Sequence, residues 1–315
     1  MKILVTGANG FVGRALCARL CELGHQVVPA VRRAKGLPNE CVVGDIDSTP
    51  DWAHGLEGSD AVVHLAARVH MMNENATDPW AAFHRTNVAA TLTLARKAAA
   101  SGVRRFVFFS SVKVNGEETM DGQVFTEHDT PAPLDLYGRS KMEAEQGLLD
   151  IAERTGLEVV IIRSPLVYGP GVKGNFASLI KLVKTGMPLP LGAVENRRSM
   201  IALDNLVSFT ALCADVAASP NAKGQVFLLS DGEDVSTAEL LRRVAKAYGC
   251  RARLFSAPVG LMYVAARLIG KGSVADRLFG SLAVDNSKAR QMLGWHPPSS
   301  MDEQLKKMAL HDSRV

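Results

Sequence analysis

The chain has 315 residues, 47% of them hydrophobic and 22% charged, and its 36 Lys and Arg against 32 Asp and Glu leave a formal charge of +4. This is the balance of a folded protein of roughly two domains, and it excludes a disordered or collagen-like chain. The basic residues are dispersed and nearly matched by acids, which excludes a nucleic-acid groove, and the five scattered cysteines form no disulfide framework, as expected of a reducing, cytoplasmic compartment.

Residues 3–6 are predicted as the first strand, and the apolar run meets glycine too soon to be the core of a secretory signal. Thr6-Gly7-Ala8-Asn9-Gly10-Phe11-Val12-Gly13 follows directly, and Leu16, Leu20 and Leu23 then recur at helical spacing. Strand, glycine turn and helix in this order make a cradle for a dinucleotide. Gly7 allows the tight turn, Gly10 lets the backbone approach a pyrophosphate, and Gly13 lets helix and strand pack closely, with Phe11 and Val12 in the same turn. Cys17 and Cys21 lie one helical turn apart with no second close Cys/His pair, so they read as packing and no metal site is expected.

Residues 26–31 form the predicted second strand. An acid at its end would hydrogen-bond a ribose 2′-hydroxyl and repel a 2′-phosphate. Arg32 and Arg33 stand there instead and favour NADP over NAD. A third strand at 41–43 leads to Asp45 and Ile46, further candidate cofactor contacts. The fourth, 61–65, closes on His64-Leu65-Ala66-Ala67; His64 reads as a hydrogen-bonded core residue, and Leu65, Ala66 and Ala67 as cofactor contacts. An Ala-rich helix carrying Val88, Leu92, Ala95 and Ala99 comes next, with Asn87 at its start.

Residues 105–110 are predicted as a strand in which Phe106-Val107-Phe108-Phe109 is apolar on successive positions. A strand buried on both faces belongs to a parallel sheet with helices on each side. Ser110 and Ser111 end it at the carboxyl edge, where such sheets bind ligands and a hydroxyl can hydrogen-bond a substrate carbonyl. Tyr137 and Lys141 are four residues apart in Tyr137-Gly138-Arg139-Ser140-Lys141, hence on one helix face. An ammonium beside a phenol can lower the phenol's pKa and make it an acid/base catalyst.

After a strand at 158–163 the rhythm breaks into a Pro- and Gly-rich stretch. The reading is an α/β fold: a doubly wound parallel (Rossmann) sheet with a smaller, discontinuous α+β substrate domain. The first domain spans 1–165, with 199–229 and about 283–295 returning to it; the second takes 166–198, 230–282 and 296–315. Residues 200–203, 226–229 and 285–293 are expected to be sheet and helix elements that rejoin the first domain, and Ser236-Thr237-Ala238-Glu239 to cap a helix running to Ala247. No run reaches the eighteen or so apolar residues of a membrane span. The most membrane-like stretch, Ala257 to Gly270, is expected to pack on the protein.

In order, the glycine turn, His64-Leu65-Ala66-Ala67, Asn87, the serine and the Tyr137/Lys141 pair resemble the extended short-chain dehydrogenase/reductase family, particularly its nucleotide-sugar epimerases and reductases. The resemblance runs from Met1 to about Pro298. It implies Ser111, Tyr137 and Lys141 as catalytic residues and a dinucleotide held also by Asn87, Pro165 and Val167. For the diphosphate of a UDP-sugar it implies Asn175, Arg198 and Arg277, with Lys113 a possible substrate contact. It also implies a homodimer. Asn115 departs from the tyrosine usual before Gly116, and Val112 and Lys113 stand where the family's 4,6-dehydratases carry Asp-Glu, which disfavours dehydration.

The activity implied is oxidoreduction at C4 of a nucleotide-linked hexose. The segment 110–117 is most similar to NAD(P)H-dependent reductases of UDP-4-keto-6-deoxy-N-acetylhexosamines that serve surface polysaccharide synthesis. The alternative is a UDP-sugar 4-epimerase acting on UDP-glucose or UDP-N-acetylglucosamine with bound NAD. A non-catalytic NAD(P)-sensing or scaffold protein is the third reading, against which the intact Ser111, Tyr137 and Lys141 argue.

Overall fold

A computed structural model describes residues 1–48, 50–69 and 78–313, apart from the side chain of Ser273. Among them, seven strands form one parallel sheet: β1 (Lys2–Thr6), β2 (Gln26–Val31), β3 (Cys41–Val42), β4 (Ala61–His64), β5 (Arg105–Ser111), β6 (Glu158–Ser164) and, far along the chain, Gln225–Leu228. Between these last two come β7 (Leu166–Tyr168) and β8 (Arg198–Ala202), so Gln225–Leu228 is β9, and β10 (Asp234–Val235) follows. The order is β3-β2-β1-β4-β5-β6-β9. It reverses at β1 and β4, and a crevice opens at that switch point beyond the carboxyl ends of the strands.

The apolar runs explain why the sheet is sandwiched. Ile3, Val5, Val107 and Phe109 point into one core, with α1 (Phe11–Glu22) and the later helix Leu203–Ala214. Leu4, Phe106 and Phe108 point into the other, closed by α2 (Ala53–Leu56), Ala90–Ala100 and Leu136–Thr155. With α3 (Pro79–Phe83) preceding them, Ala90–Ala100 is α4 and Leu136–Thr155 is α5. Alternate side chains of one strand thus fill two cores, which demands an unbroken apolar run.

Residues 198–202 form a strand that stands outside this sheet. Arg198–Ala202 pairs in parallel with Leu166–Tyr168 and antiparallel with Asp234–Val235, forming a separate three-stranded sheet. Ile201 of this strand still reaches the main core, and so does the helix after it. After α6 (Gly174–Lys184), Leu203–Ala214 is α7, and its apolar face joins the main core. The prediction of β9 at 226–229 holds to within one residue at each end. Ser236 accepts a hydrogen bond from the Glu239 amide and caps α8 (Thr237–Ala247).

The smaller core gathers Tyr168, Phe176, Ile180, Leu241, Val244, Met301 and Leu305 around α6 and α8. The chain continues through α9 (Val259–Leu268), α10 (Gly272–Phe279), α11 (Ser287–Leu293) and α12 (Met301–Asp312), the last opened by a reciprocal capping box of Ser300 and Glu303. As expected, the segment Ala257 to Gly270 packs on the protein, through one side only, with Val259 and Met262 resting on the smaller core. α9 rests on α10, with Tyr263 and Phe279 rings 6.3 Å apart, yet none of its residues is buried. Leu261, Val264 and Leu268, spaced three and four apart, share a face that none of the described elements covers.

Candidate active site

The first turn at the switch point is built for close approach. Gly7 has φ +67°, and a Cβ on Gly13 would lie 2.2 Å from the Gly7 carbonyl oxygen, so only glycine fits there. Gly10 begins α1 with no side-chain cap, and no acid occupies the first turn of the helix. The amides of Phe11 and Val12 therefore open toward the crevice at the positive end of the helix, which suits a pyrophosphate and supports the dinucleotide reading.

β1 and β4 are laced together behind this turn. Thr6 Oγ1 accepts from the amides of Leu65 and Ala66 and contacts His64 Nδ1 at 2.8 Å, while His64 Nε2 meets Thr91 Oγ1 at 2.9 Å. His64 is the buried, hydrogen-bonded core residue expected. Burial, and after it the charge of Lys141, push its pKa down to about 3. Because its folded pKa lies below the ordinary 6.5, the unfolded chain binds the extra proton first. Its contribution to stability is complete above pH 6.5 and is lost as pH falls toward 3. Urea titrations across that window should show a shallower acid loss in His64→Gln than in the wild type.

Asn87, expected at the cofactor, also holds the local backbone. It is buried in a π-helical turn, His84–Ala89, where its Oδ1 accepts from the Arg68 amide at 2.7 Å and its Nδ2 donates to the Arg68 carbonyl and to Ser140 Oγ, each at 2.9 Å. It ties the loop after β4 to α5. Asp45 and Ile46 follow β3, and Arg32 reaches Asp45 at 3.4 Å with both side chains mostly exposed, a pair that adds little. Arg33 is exposed beside it, so the guanidiniums face solvent at the end of β2.

The two serines ending β5 divide. Ser110 is committed inward to the Glu145 carboxylate. Ser111, the last residue of the strand, accepts from the Lys113 amide at 3.2 Å, which leaves its own hydroxyl proton to donate. Its register partner on β6 is Ser164, followed by buried Pro165 and then Val167, so these residues rim one crevice. Asn115 is buried and turned away from that rim, bonding Arg163 and the Thr126 carbonyl. Its departure from tyrosine therefore serves the interior.

Tyr137 and Lys141 lie on one face of α5, with the ammonium 5.9 Å from the phenol ring centroid. Lys141 is fully enclosed, bonded to the Phe109 carbonyl at 2.6 Å and 4.4 Å from the Phe108 ring. The expectation that it lowers the phenol's pKa is corrected. Tyr137 keeps some solvent access, but protein crowding around the phenol pushes its pKa up to about 12, and Asp135 adds to the rise. Burial brings Lys141 itself down to about 7, against the opposing pull of Glu145. Desolvation of both groups outweighs their mutual field.

Two residues the sequence reading missed organise this helix. Asp135 caps it, accepting from the Gly138 amide at 2.6 Å, and its other oxygen pairs with Lys113 Nζ at 2.5 Å. Glu145, one turn after Lys141, forms a buried ion pair with Arg163 at 2.6 Å. Both were findable, Asp135 as an N-cap acid and Glu145 from its i,i+4 spacing to Lys141. Lys113, expected on the substrate, also bonds Glu117 at 2.9 Å; burial works against its ammonium, but Asp135 and Glu117 hold its pKa above the ordinary value. It thereby clamps the Ser111 turn to the start of the Tyr137 helix. Lys113→Met should lower kcat about tenfold by loosening that geometry. Steady-state kinetics giving a raised KM with unchanged kcat would instead make Lys113 a substrate contact.

Across the crevice, Arg198 begins β8 and donates to the Gly280 carbonyl at 2.9 Å. Burial lowers its pKa, the charge of Arg277 lowers it further, and Glu118 opposes the fall. Two guanidiniums near enough to repel, one of them mostly buried, suit a multiply charged anion. Asn175 is exposed in the first turn of α6.

A sequence model described as the NAD dependent epimerase/dehydratase family matches residues 3–227. A Vibrio cholerae protein named UDP-glucose 4-epimerase is 44% identical over 314 residues, covering 98% of this chain and 94% of its own length. MoeE5, solved in complex with UDP-glucuronic acid and NAD, superimposes with a TM-score of 0.78 at 28% identity over 100% of this chain and 99% of its own. The Thermotoga maritima UDP-glucose 4-epimerase with UDP-glucose gives 0.76 at 23% identity over 100% and 99%, a likeness of fold.

Proposed function

Because the chain belongs to the NAD dependent epimerase/dehydratase family, whose nucleotide-sugar enzymes are of the extended short-chain dehydrogenase/reductase type, we propose that it oxidises and reduces C4 of a UDP-hexose and runs the reaction as a 4-epimerase in the cytoplasm. The observation that carries this is the placement of Ser111 at the carboxyl end of β5 beside α5, whose Tyr137 and Lys141 share one face, with Lys141 bonded to the Phe109 carbonyl of the same strand. A nicotinamide dinucleotide, when bound, supplies the acceptor and donor of the hydride.

The chain's own residues do the rest. Gly7, Gly10 and Gly13 with the Phe11 and Val12 amides hold the pyrophosphate, Ala66 and Ala67 line the ribose side, and Lys141 orients the nicotinamide ribose. Ser111 donates a hydrogen bond to the oxygen on C4. With the positive charge of a bound oxidised nicotinamide added to that of Lys141 to favour its phenolate, Tyr137 would take the C4 hydroxyl proton as the C4 hydrogen leaves as hydride, and would return that proton to the 4-keto oxygen when hydride comes back to the opposite face. Arg198 and Arg277, with Asn175, hold the diphosphate while the sugar turns. The resemblance also supports a homodimer pairing through α4 and α5, which sedimentation would test.

Reduction of a UDP-4-keto-6-deoxy-N-acetylhexosamine is the second reading, favoured by two observations. Burial raises the pKa of Tyr137, which favours the phenol form that would give a proton to a keto oxygen. Arg32 and Arg33, with no acid at the end of β2, suit an exchanging NADPH as well as NADH. One assay separates the readings. Interconversion of UDP-glucose or UDP-N-acetylglucosamine with its C4 epimer, with no added cofactor, supports the epimerase. Stoichiometric consumption of NADPH or NADH with the 4-keto sugar, and no epimerisation, overturns it in favour of the reductase. In either case Arg198→Ala should weaken UDP binding about tenfold or more by calorimetry, since it removes charge-assisted hydrogen bonds.

A further inference from the structure

The uncovered face of α9 belongs to a longer segment with a distinct charge. Between residues 251 and 275 the chain carries Arg251, Arg253, Arg267 and Lys271 and not one acid. Among the described residues none of these four is ion-paired; Arg267 donates to the Tyr263 hydroxyl at 2.8 Å and stays exposed. The large apolar side chains here are unusually open: Leu261 is 70% exposed, Leu268 82% and Ile269 69%, with Val264 close behind. Leu261, Val264 and Leu268 share one helix face, Ile269 follows at its end, and Phe255 and Val274 are exposed just before and after. Val259 and Met262 on the opposite side pack against the smaller core, so the helix is anchored from beneath with its apolar face outward.

Single exposed leucines are ordinary on solvated helices, but several large apolar side chains clustered on one face with cations beside them are the pattern of an interfacial helix. We infer that α9 docks this protein peripherally on an anionic membrane surface, the apolar face entering the headgroup boundary and Arg251, Arg253, Arg267 and Lys271 meeting acidic lipid. The net positive charge of the segment selects this occupant, even with Asp276 at its edge accepting from the Tyr263 hydroxyl. A second copy of the chain would bring four more cations against these four, while an anionic lipid surface neutralises them. Docking leaves the substrate crevice out of account and goes beyond the reaction proposed above.

The test is co-sedimentation of the full chain with vesicles of phosphatidylcholine alone and of phosphatidylcholine with phosphatidylglycerol, at low and high salt. The protein should pellet with the phosphatidylglycerol vesicles at low salt and remain in solution with the neutral ones. Leu261→Glu/Leu268→Glu and Arg267→Glu/Lys271→Glu should each lower partitioning about tenfold or more, since single basic residues and buried leucines contribute at that scale. All four positions are exposed, so the variants should keep the wild-type circular dichroism and urea midpoint. Absence of binding to phosphatidylglycerol vesicles, or equal binding by folded variants, overturns the inference. So does concentration-dependent self-association in light scattering that Leu261→Glu/Leu268→Glu abolishes, which would assign the face to a second copy.

Discussion

Tyr137→Phe is expected to lower kcat on the UDP-hexose by about 10²–10⁴-fold, the range that a positioned acid/base contributes. The substitution deletes one oxygen and preserves the surroundings. The ring keeps its edge contact with Phe83, centroids 6.5 Å apart, and Lys141 keeps its bond to the Phe109 carbonyl. Cofactor affinity, measured by fluorescence titration, should therefore stay at the wild-type value while turnover collapses. Ser111 cannot substitute for the phenol, because an alcohol next to the C4 oxygen can share a hydrogen bond but is too weak an acid to deliver a proton at this rate. A variant that turns over at the parental rate would remove Tyr137 from the chemistry and with it the proposed function.

Glu145→Ala is expected to cost about 3–5 kcal/mol of stability, the usual result of stripping one partner from a buried ion pair. Arg163 and Glu145 are 6% and 5% exposed, and the carboxylate also receives Ser110 and two further Arg163 contacts at 3.1 and 3.2 Å. Removing it would leave a guanidinium under the sheet with only Asn115 Oδ1 to bond, at 3.0 Å. A urea titration should show the midpoint falling with little change in slope. Glu145→Gln, which keeps the shape and some hydrogen bonding, should lose less. Because Glu145 also opposes the downward pull of burial on Lys141, a surviving Gln variant should carry less ammonium at neutral pH. A loss under about 1 kcal/mol in the Ala variant would mean that desolvation of the pair already cancels its attraction.

The sequence alone determined the parallel sheet, because unbroken runs such as Phe106 to Phe109 have no other stable burial than between two helix layers. It also determined the glycine turn and the helical pairing of Tyr137 with Lys141, since both depend on spacing within a few residues. Ser111 could be preferred to Ser110 only by analogy until the structure turned Ser110 inward onto Glu145. Strand partners beyond the main sheet were hidden as well. Arg198–Ala202 has the composition of any short buried strand, and only its register with Leu166–Tyr168 sets it in a second sheet. The pKa balance between Tyr137 and Lys141 likewise belongs to the tertiary structure. A spacing of four residues shows that two groups are neighbours, whereas burial dominates both, and the side chains packed on them, Phe108 of β5 on Lys141 and Phe83 of α3 on Tyr137, come from far away along the chain. The open face of α9 has the same origin: apolar periodicity marks a face to be covered, and tertiary packing decides whether the protein itself covers it.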